Sequence, residues 1–265
     1  MWIDTHCHLD AAEFAGESDA VALAAAQQGV ARIVIPAVAH GNFATVATLA
    51  TNNENCVYAL GIHPLYVPQA QESDLSALRD AVAAAMSDAR FVAIGEIGLD
   101  FFIPELCLPR LREKQEHFFT AQLAIAREFD LPVLLHVRRS QDIVLKHLRR
   151  IKVRGGCAHA FNGSFQQAGI FIDLGFKLGF GGAMTFSRAL QIRRLATELP
   201  RDALVLETDA PDLSPSWLHP ARNAPAQIAG IGAVLAGLRG ITVEEVAAVT
   251  SANAFAVLPR MVPGA

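Results

Sequence analysis

Eight short runs rich in Ile, Val, Leu and Phe alternate along this chain with longer, Ala-rich, charge-bearing stretches of helical period, and no other feature constrains the fold as tightly. The runs span Trp2 to His8, Ala31 to Ala37, Val57 to His63, Phe91 to Gly98, Leu131 to Val137, Gly156 to Phe161, Phe176 to Gly182 and Leu204 to Pro211. Helices are expected between them at about Glu17 to Gly29, Gly41 to Thr51, Leu75 to Ser87, Arg110 to Phe129, Gln141 to Arg150, Phe165 to Leu174 and Arg188 to Glu198. Two more, Gln227 to Leu238 and Val243 to Phe255, follow the last run. Near-continuous apolar strands are covered on both faces, which implies a parallel sheet. Eightfold strand-helix alternation then favours a closed (β/α)8 barrel over an open doubly wound sheet. Such a barrel takes roughly 250 residues. No Gly/Ser/Pro-rich linker divides the 265 present, so residues 1–265 are read as one α/β barrel domain.

Composition enters mainly through what it excludes. With 52% apolar residues the chain is not a disordered one. Lys plus Arg number 22 against 26 Asp plus Glu, a formal charge of −4, which argues against a protein held on nucleic acid by its overall field. A local basic stretch exists, with Arg138, Arg139, Lys146, Arg149, Arg150, Lys152 and Arg154 against the single acid Asp142, and most of it reads as a solvated helix face. Cys7, Cys56, Cys107 and Cys157 lie far apart with no CxxC pair, so neither a disulfide framework nor a thiolate metal site is expected. The sequence shows no signal-like start and no apolar run of the roughly 18 to 20 residues that span a bilayer. A reducing, cytoplasmic setting without membrane attachment is the expectation, and nothing marks an obligate protein partner.

In a (β/α)8 barrel the side chains at the C-terminal ends of the strands converge on one face. Here those ends carry His6-Cys7-His8, His63, Glu96, His136, His159 and Glu207-Thr208-Asp209. Residues i and i+2 of a strand share a face, so His6 and His8 can hold one metal ion together while Cys7 points away. Glu96 ends an apolar run, and its buried carboxylate calls for a cation. Arg138, the nearest inward base, is equally suited to a substrate anion. An isolated histidine ending an apolar strand is ordinarily a satisfied core residue, but the shared placement of His136 and His159 argues otherwise. Four imidazoles and two carboxylates suit Zn, Mn, Fe or Co, and Mg with some loss of affinity. Six ligands exceed what one ion with an open position needs, so two ions sharing Glu96 are expected. A pair of ions about 3.5 to 4 Å apart supports hydrolysis by a bound hydroxide.

Together, Ile3-Asp4-Thr5-His6-Cys7-His8, Gly61-Ile62-His63-Pro64, Gly95-Glu96-Ile97-Gly98-Leu99-Asp100, Leu135-His136-Val137-Arg138, His159-Ala160-Phe161-Asn162-Gly163 and Leu206-Glu207-Thr208-Asp209-Ala210-Pro211 resemble, in order and spacing, the TatD-related metal-dependent deoxyribonuclease family of the amidohydrolase-like superfamily. The resemblance implies that His6, His8, Glu96 and Asp209 surround one divalent ion and that Glu96, His136 and His159 surround the other. It further implies that His63 and Arg138 contact substrate phosphate, and that DNA, as single strands or 3′ ends, is the substrate of a 3′-5′ exonuclease. Glu96 and Asp209 are the residues assigned to catalysis, Asp209 accepting or relaying a proton. Asp4 and Glu207, two residues from His6 and Asp209, are expected to share their inward face and support them. The chain departs from the family pattern where Phe101-Phe102 replaces the tyrosine after Gly-Leu-Asp, and where Asn223-Ala224-Pro225-Ala226 lacks the usual Arg and Glu. Residues 214 to 226 are expected to form a flexible loop near the mouth, with Trp217 and His219 mainly packing the surface.

Two further readings keep the same residues. An amidohydrolase-like enzyme would act on a small amide, lactone or phosphoester, although many such centres use a carboxylated lysine as bridge and Phe91 to Asp100 contains no lysine. A non-catalytic barrel would close its metal coordination instead of keeping an open position.

Overall fold

The computed structural model describes residues 1–261; residue 265, the expected end of the domain, lies outside them. Every expected run and every expected helix forms. In chain order the elements are β1 (Trp2–Asp4), α1 (Ser18–Gln27), β2 (Val30–Pro36), α2 (Phe43–Asn52), β3 (Cys56–Leu60), α3 (Glu72–Ala85), β4 (Phe91–Asp100), α4 (Pro109–Glu128) and β5 (Val133–Arg138). They continue with α5 (Gln141–Arg150), β6 (Gly156–Ala158), α6 (Phe165–Asp173), β7 (Phe176–Phe180), α7 (Leu190–Glu198), β8 (Leu204–Leu206), α8 (Ile228–Arg239) and α9 (Val243–Val257). All neighbouring strands are parallel and follow chain order from β1 to β8.

The first and last strands are joined just beyond their ends. The Thr5 backbone N–H donates to the Leu206 carbonyl (3.1 Å), the Asp209 N–H to the His6 carbonyl (2.8 Å), and the His8 N–H to the Ala210 carbonyl (2.8 Å). This seam closes the barrel with the same segments that carry His6, His8 and Asp209.

Side-chain alternation divides the core in two. Trp2, Ile33, Ile35, Phe91, Ile94, Val133, Leu135 and Leu206 pack outward with the helices. Ile3, Val34, Val57, Ala59, Val92, Ala93, Leu134, Cys157 and Val205 form the smaller inner cluster, with Val92 and Ala93 both facing in between outward Phe91 and Ile94, and Ala254, Val257, Leu258 and Met261 plug it from below. The helix after the last crossover therefore supplies the floor of the barrel, and the strand mouths are left for polar groups. Among the described residues no single helix is long and apolar enough to cross a membrane.

Candidate metal centre

Glu96 is the hub of the strand mouths. Its side chain is buried in β4, and its two oxygens face different partners. Oε2 lies 3.1 Å from His6 Nε2 and 3.3 Å from His8 Nε2. Oε1 lies 2.8 Å from His159 Nε2, 3.0 Å from His136 Nδ1 and 3.4 Å from His63 Nε2. Asp209 Oδ1 stands 3.7 Å from both His6 Nε2 and His8 Nε2. All the residues expected to hold metal are thus brought together. Arg138 sits at the rim, its side chain 49% exposed and its Nη1 3.9 Å from Asp100 Oδ2.

Ring nitrogens converge in ways that hydrogen bonding alone satisfies poorly. His6 Nε2 and His8 Nε2 are 3.3 Å apart, while His136 Nδ1 is 3.1 Å from His63 Nε2 and 3.3 Å from His159 Nε2. One proton cannot serve several lone pairs at once, whereas a cation can. The donor atoms of His6, His8 and Asp209, of His6, Glu96 and His159, and of His63, Glu96 and His136 each gather within 4.8 Å. These three sets fit a divalent cation by donor type, being mixed imidazole and carboxylate. The grouping differs from expectation in two respects. His159 lies as close to the His6 side as to His136, its ring stacked on that of His6 with centroids 4.1 Å apart. His63, expected only as a phosphate contact, also enters the cluster.

Hydrogen bonds on the far ring nitrogens separate the roles. The Leu65 N–H donates to His63 Nδ1 (3.1 Å), so a neutral His63 carries its proton on Nε2 and presents a donor to the centre. His136 is the reverse case. Its Nε2 faces Asp100 Oδ2 at 3.0 Å and donates there, leaving the Nδ1 lone pair for the centre.

Burial would raise the Glu96 carboxyl, but His63, His6 and His159 crowd it and hold it well below the usual range. Burial, with His159 alongside, drives His6 down to about 3, and burial drives His63 down to about 4 against the pull of Glu96. His8 behaves oppositely, because Glu96 and Asp209 outweigh its desolvation and lift it to about 9. Burial raises Asp209 to about 6 despite His159 and His8 nearby.

Supporting groups lie around the hub. The Ala160 N–H donates to Glu207 Oε1, which lies 3.8 Å from His159 Nδ1, and Glu207 Oε2 has no partner among the described residues. A Cβ at position 179 would come within 2.0 Å of that oxygen, so only glycine leaves room for Glu207. Asp4 differs from expectation. Instead of backing the His6 ring it accepts from the His6 N–H (3.2 Å) and from the N–H and hydroxyl of Thr208 (2.9 and 2.5 Å). Alternation is broken in this segment, since Ile3 belongs to the inner cluster and Cys7 to the outer. Strict parity would have sent Thr5 and Cys7 inward; regular pairing with β2 ends at Asp4, the next bond to it runs from the Cys7 N–H to the Val34 carbonyl (3.1 Å), and His6 and His8 turn in instead.

Three residues escaped the sequence reading. Asp100 orients His136, and its signal was its position four residues after Glu96 on the same strand parity. Gln122 clasps Ile62 beside His63, accepting from its N–H (2.7 Å) and donating to its carbonyl (3.0 Å). Gln115 accepts from the Asp100 N–H (2.9 Å) and donates to the Leu106 carbonyl (3.0 Å). These two buried glutamines, seven residues apart on one face of α4, could have been read from that spacing. Asn223, considered above only as part of a substrate loop, ties Thr208 and Asp212 together through its Nδ2 at 2.9 Å each, bracing the turn that bears Asp209. The 214–226 segment is likewise anchored: Trp217 Nε1 donates to Gln227 Oε1 (2.9 Å) and His219 meets Phe186 edge to face.

Residues 3–259 match the family model described as TatD related DNase. The chain belongs to the TatD family. It is 40% identical to the Escherichia coli K12 protein named "Uncharacterized metal-dependent hydrolase YjjV" over 96% of both chains, and 30% identical to YabD of Bacillus subtilis, of the same description, over 96% of this chain and 97% of the other. The crystal structure of the E. coli YjjV TatD homologue superposes with a TM-score of 0.91, covering 97% of this chain and 98% of that one. Like these TatD relatives the chain is a metal-dependent hydrolase, and its closed parallel barrel is the TatD fold.

Proposed function

We propose that the protein is a deoxyribonuclease of the 3′-5′ exonuclease type, that residues 1–265 act as one hydrolase unit, and that it works in the cytoplasm with two divalent ions drawn from Mg, Mn, Zn, Co or Fe. The observation that carries the two-ion reading is the division of Glu96, whose Oε2 faces His6 and His8 while Oε1 faces His136 and His159. We assign His6, His8, Glu96 and Asp209 to one ion and Glu96, His136 and His159 to the other. When bound, such ions polarise a phosphoryl oxygen and acidify water.

The chain's own groups supply the remainder. Asp209, raised by burial toward neutrality and facing His6 and His8 through Oδ1, takes up the proton of the water consumed. His63, kept neutral by burial with its proton on Nε2, donates to a phosphate oxygen. Arg138 at the rim holds the same phosphate electrostatically. The family description supports DNA as substrate, and four unpaired cysteines support a reducing compartment.

The test is release of label from 3′-labelled single-stranded DNA with Mg, Mn, Co or Zn in turn. Activity in at least one metal, abolished by chelator and at least about a hundredfold weaker in Glu96→Ala, is expected if a bridging ligand is lost. No release above the Glu96→Ala control in any metal overturns the reading. Turnover of p-nitrophenyl phosphoesters, acyl esters or lactones alone would then favour the amidohydrolase-like alternative.

A further inference from the structure

A second concentration of positive charge stands beside the centre. Phe102, two residues past β4, is 43% exposed, yet two consecutive guanidinium groups lie on its ring. Arg138 Cζ is 3.8 Å from the ring centroid and Arg139 Cζ is 4.7 Å from it. Consecutive strand residues point to opposite faces. Here Arg139 adopts a left-handed backbone (φ 55°), and the turn brings both side chains to one ring. The ring itself is tied to the centre, because the N–H groups of Phe102 and Ile103 donate to Asp100 Oδ1 (2.8 and 3.2 Å) while Asp100 Oδ2 accepts from His136.

The one carboxylate near these arginines, Asp100, stands 3.9 Å from Arg138 Nη1 through an oxygen that His136 already faces at 3.0 Å, whereas the aromatic ring orients both guanidinium groups and leaves their charge available. Fixing two long side chains before binding also reduces the freedom lost when an anion arrives. We propose that Phe102, Arg138 and Arg139 form a two-phosphate subsite. Arg138 contacts the phosphate at the centre, Arg139 the adjacent phosphate of the same strand, and Phe102 is a positioning residue for both. Two cations fixed on one ring suit a chain that carries successive phosphates better than a small ester, amide or lactone, which offers at most one. The inference rests on the nuclease reading and names its preferred substrate, a single-stranded oligonucleotide with at least two phosphates.

The experiment measures binding of fluorescent, phosphorothioate-linked pentathymidylate to the metal-loaded protein across 50 to 300 mM KCl, a range chosen so that counterion release dominates. Loss of one phosphate contact lowers the log–log salt slope by about 0.7 on a single strand. Arg139→Gln should show that decrease, whereas Arg149→Gln, on the exposed face of α5, should not. Phe102→Ala should weaken binding several-fold with the slope kept, since both charges remain, and Phe102→Tyr should restore it. Equal slopes for Arg139→Gln and Arg149→Gln, with DNA still cut, overturn the subsite alone. An Arg139-dependent slope on this strand, with ordinary phosphodiester DNA left uncut by the wild type in every metal, overturns the nuclease reading and retains a polyanion site. Phe102→Ala binding as tightly as wild type removes the positioning role.

Discussion

Asp100 reaches the centre only through His136, yet it decides which nitrogen of that ring is free. Asp100→Asn removes the charge that holds the Nε2 proton, and outer-shell partners of this kind are worth about 10- to 100-fold in metal affinity. Competition with a chromophoric chelator should show a loss of that size, with kcat/KM falling in parallel; unchanged metal affinity would show that His136 is oriented by other contacts. The candidate ligands were legible because an imidazole or carboxylate ending an apolar strand is chemically out of place, and six of them were out of place together. Their partners were less visible. Asp4 seemed to belong with His6 by alternation, but the backbone turns between Ile3 and Cys7 and sends its carboxylate to Thr208, where burial raises it to about 8. A parity break of one residue leaves no mark in composition or periodicity. His63 shows the complementary case: its place at a strand end was readable, but which of its nitrogens faces the centre with a proton depends on the Leu65 N–H, a contact set by the turn that follows.

At the scale of elements, α4 does more than cover the sheet. Through Gln122 it satisfies both backbone groups of Ile62, and through Gln115 it holds the Asp100 N–H, so one helix registers the ends of β3 and β4. Gln122→Met keeps the side-chain length but leaves a buried N–H and a buried carbonyl unpaired, a loss of about 2 to 6 kcal/mol at about 1 to 3 kcal/mol per group. Urea denaturation should show the midpoint falling accordingly, and a midpoint equal to wild type would mean that the loop after β3 finds other partners. Helix bounds were readable to within three residues, and α5 was expected and found at Gln141–Arg150, whereas the C-terminal ends of several strands were not. The strands β1, β6 and β8 are only three residues long, shorter than their apolar runs. The difference lies at the mouths, where regular pairing stops although single bonds from the Cys7, His159 and Glu207 N–H groups still reach the neighbouring strands, and apolar patterning does not mark where that pairing ends.

For the whole molecule the formal charge of −4 conceals a division of labour, with carboxylates gathered at the hub and arginines at its rim. Divalent ions bound only by the folded chain stabilise it by about 2.7 kcal/mol per site at a hundredfold excess over Kd. Calorimetry should therefore show a Tm higher by several degrees with Mn or Zn than in chelator, at about 2 to 4 °C per kcal/mol for a chain near this size. A Tm indifferent to metal would contradict a centre formed by folding. The barrel's closing bonds run from Thr5 to Leu206, from Asp209 to His6 and from His8 to Ala210, so the joint that completes the cylinder is also where the first and last ligands meet. On a ribosome, those two segments are separated by the synthesis of the 201 residues from Thr5 to Leu206. A nascent chain that has delivered His6 and His8 but not yet Asp209 has neither a sealed cylinder nor a full set of donors, and the centre can be assembled only after the eighth strand has been made.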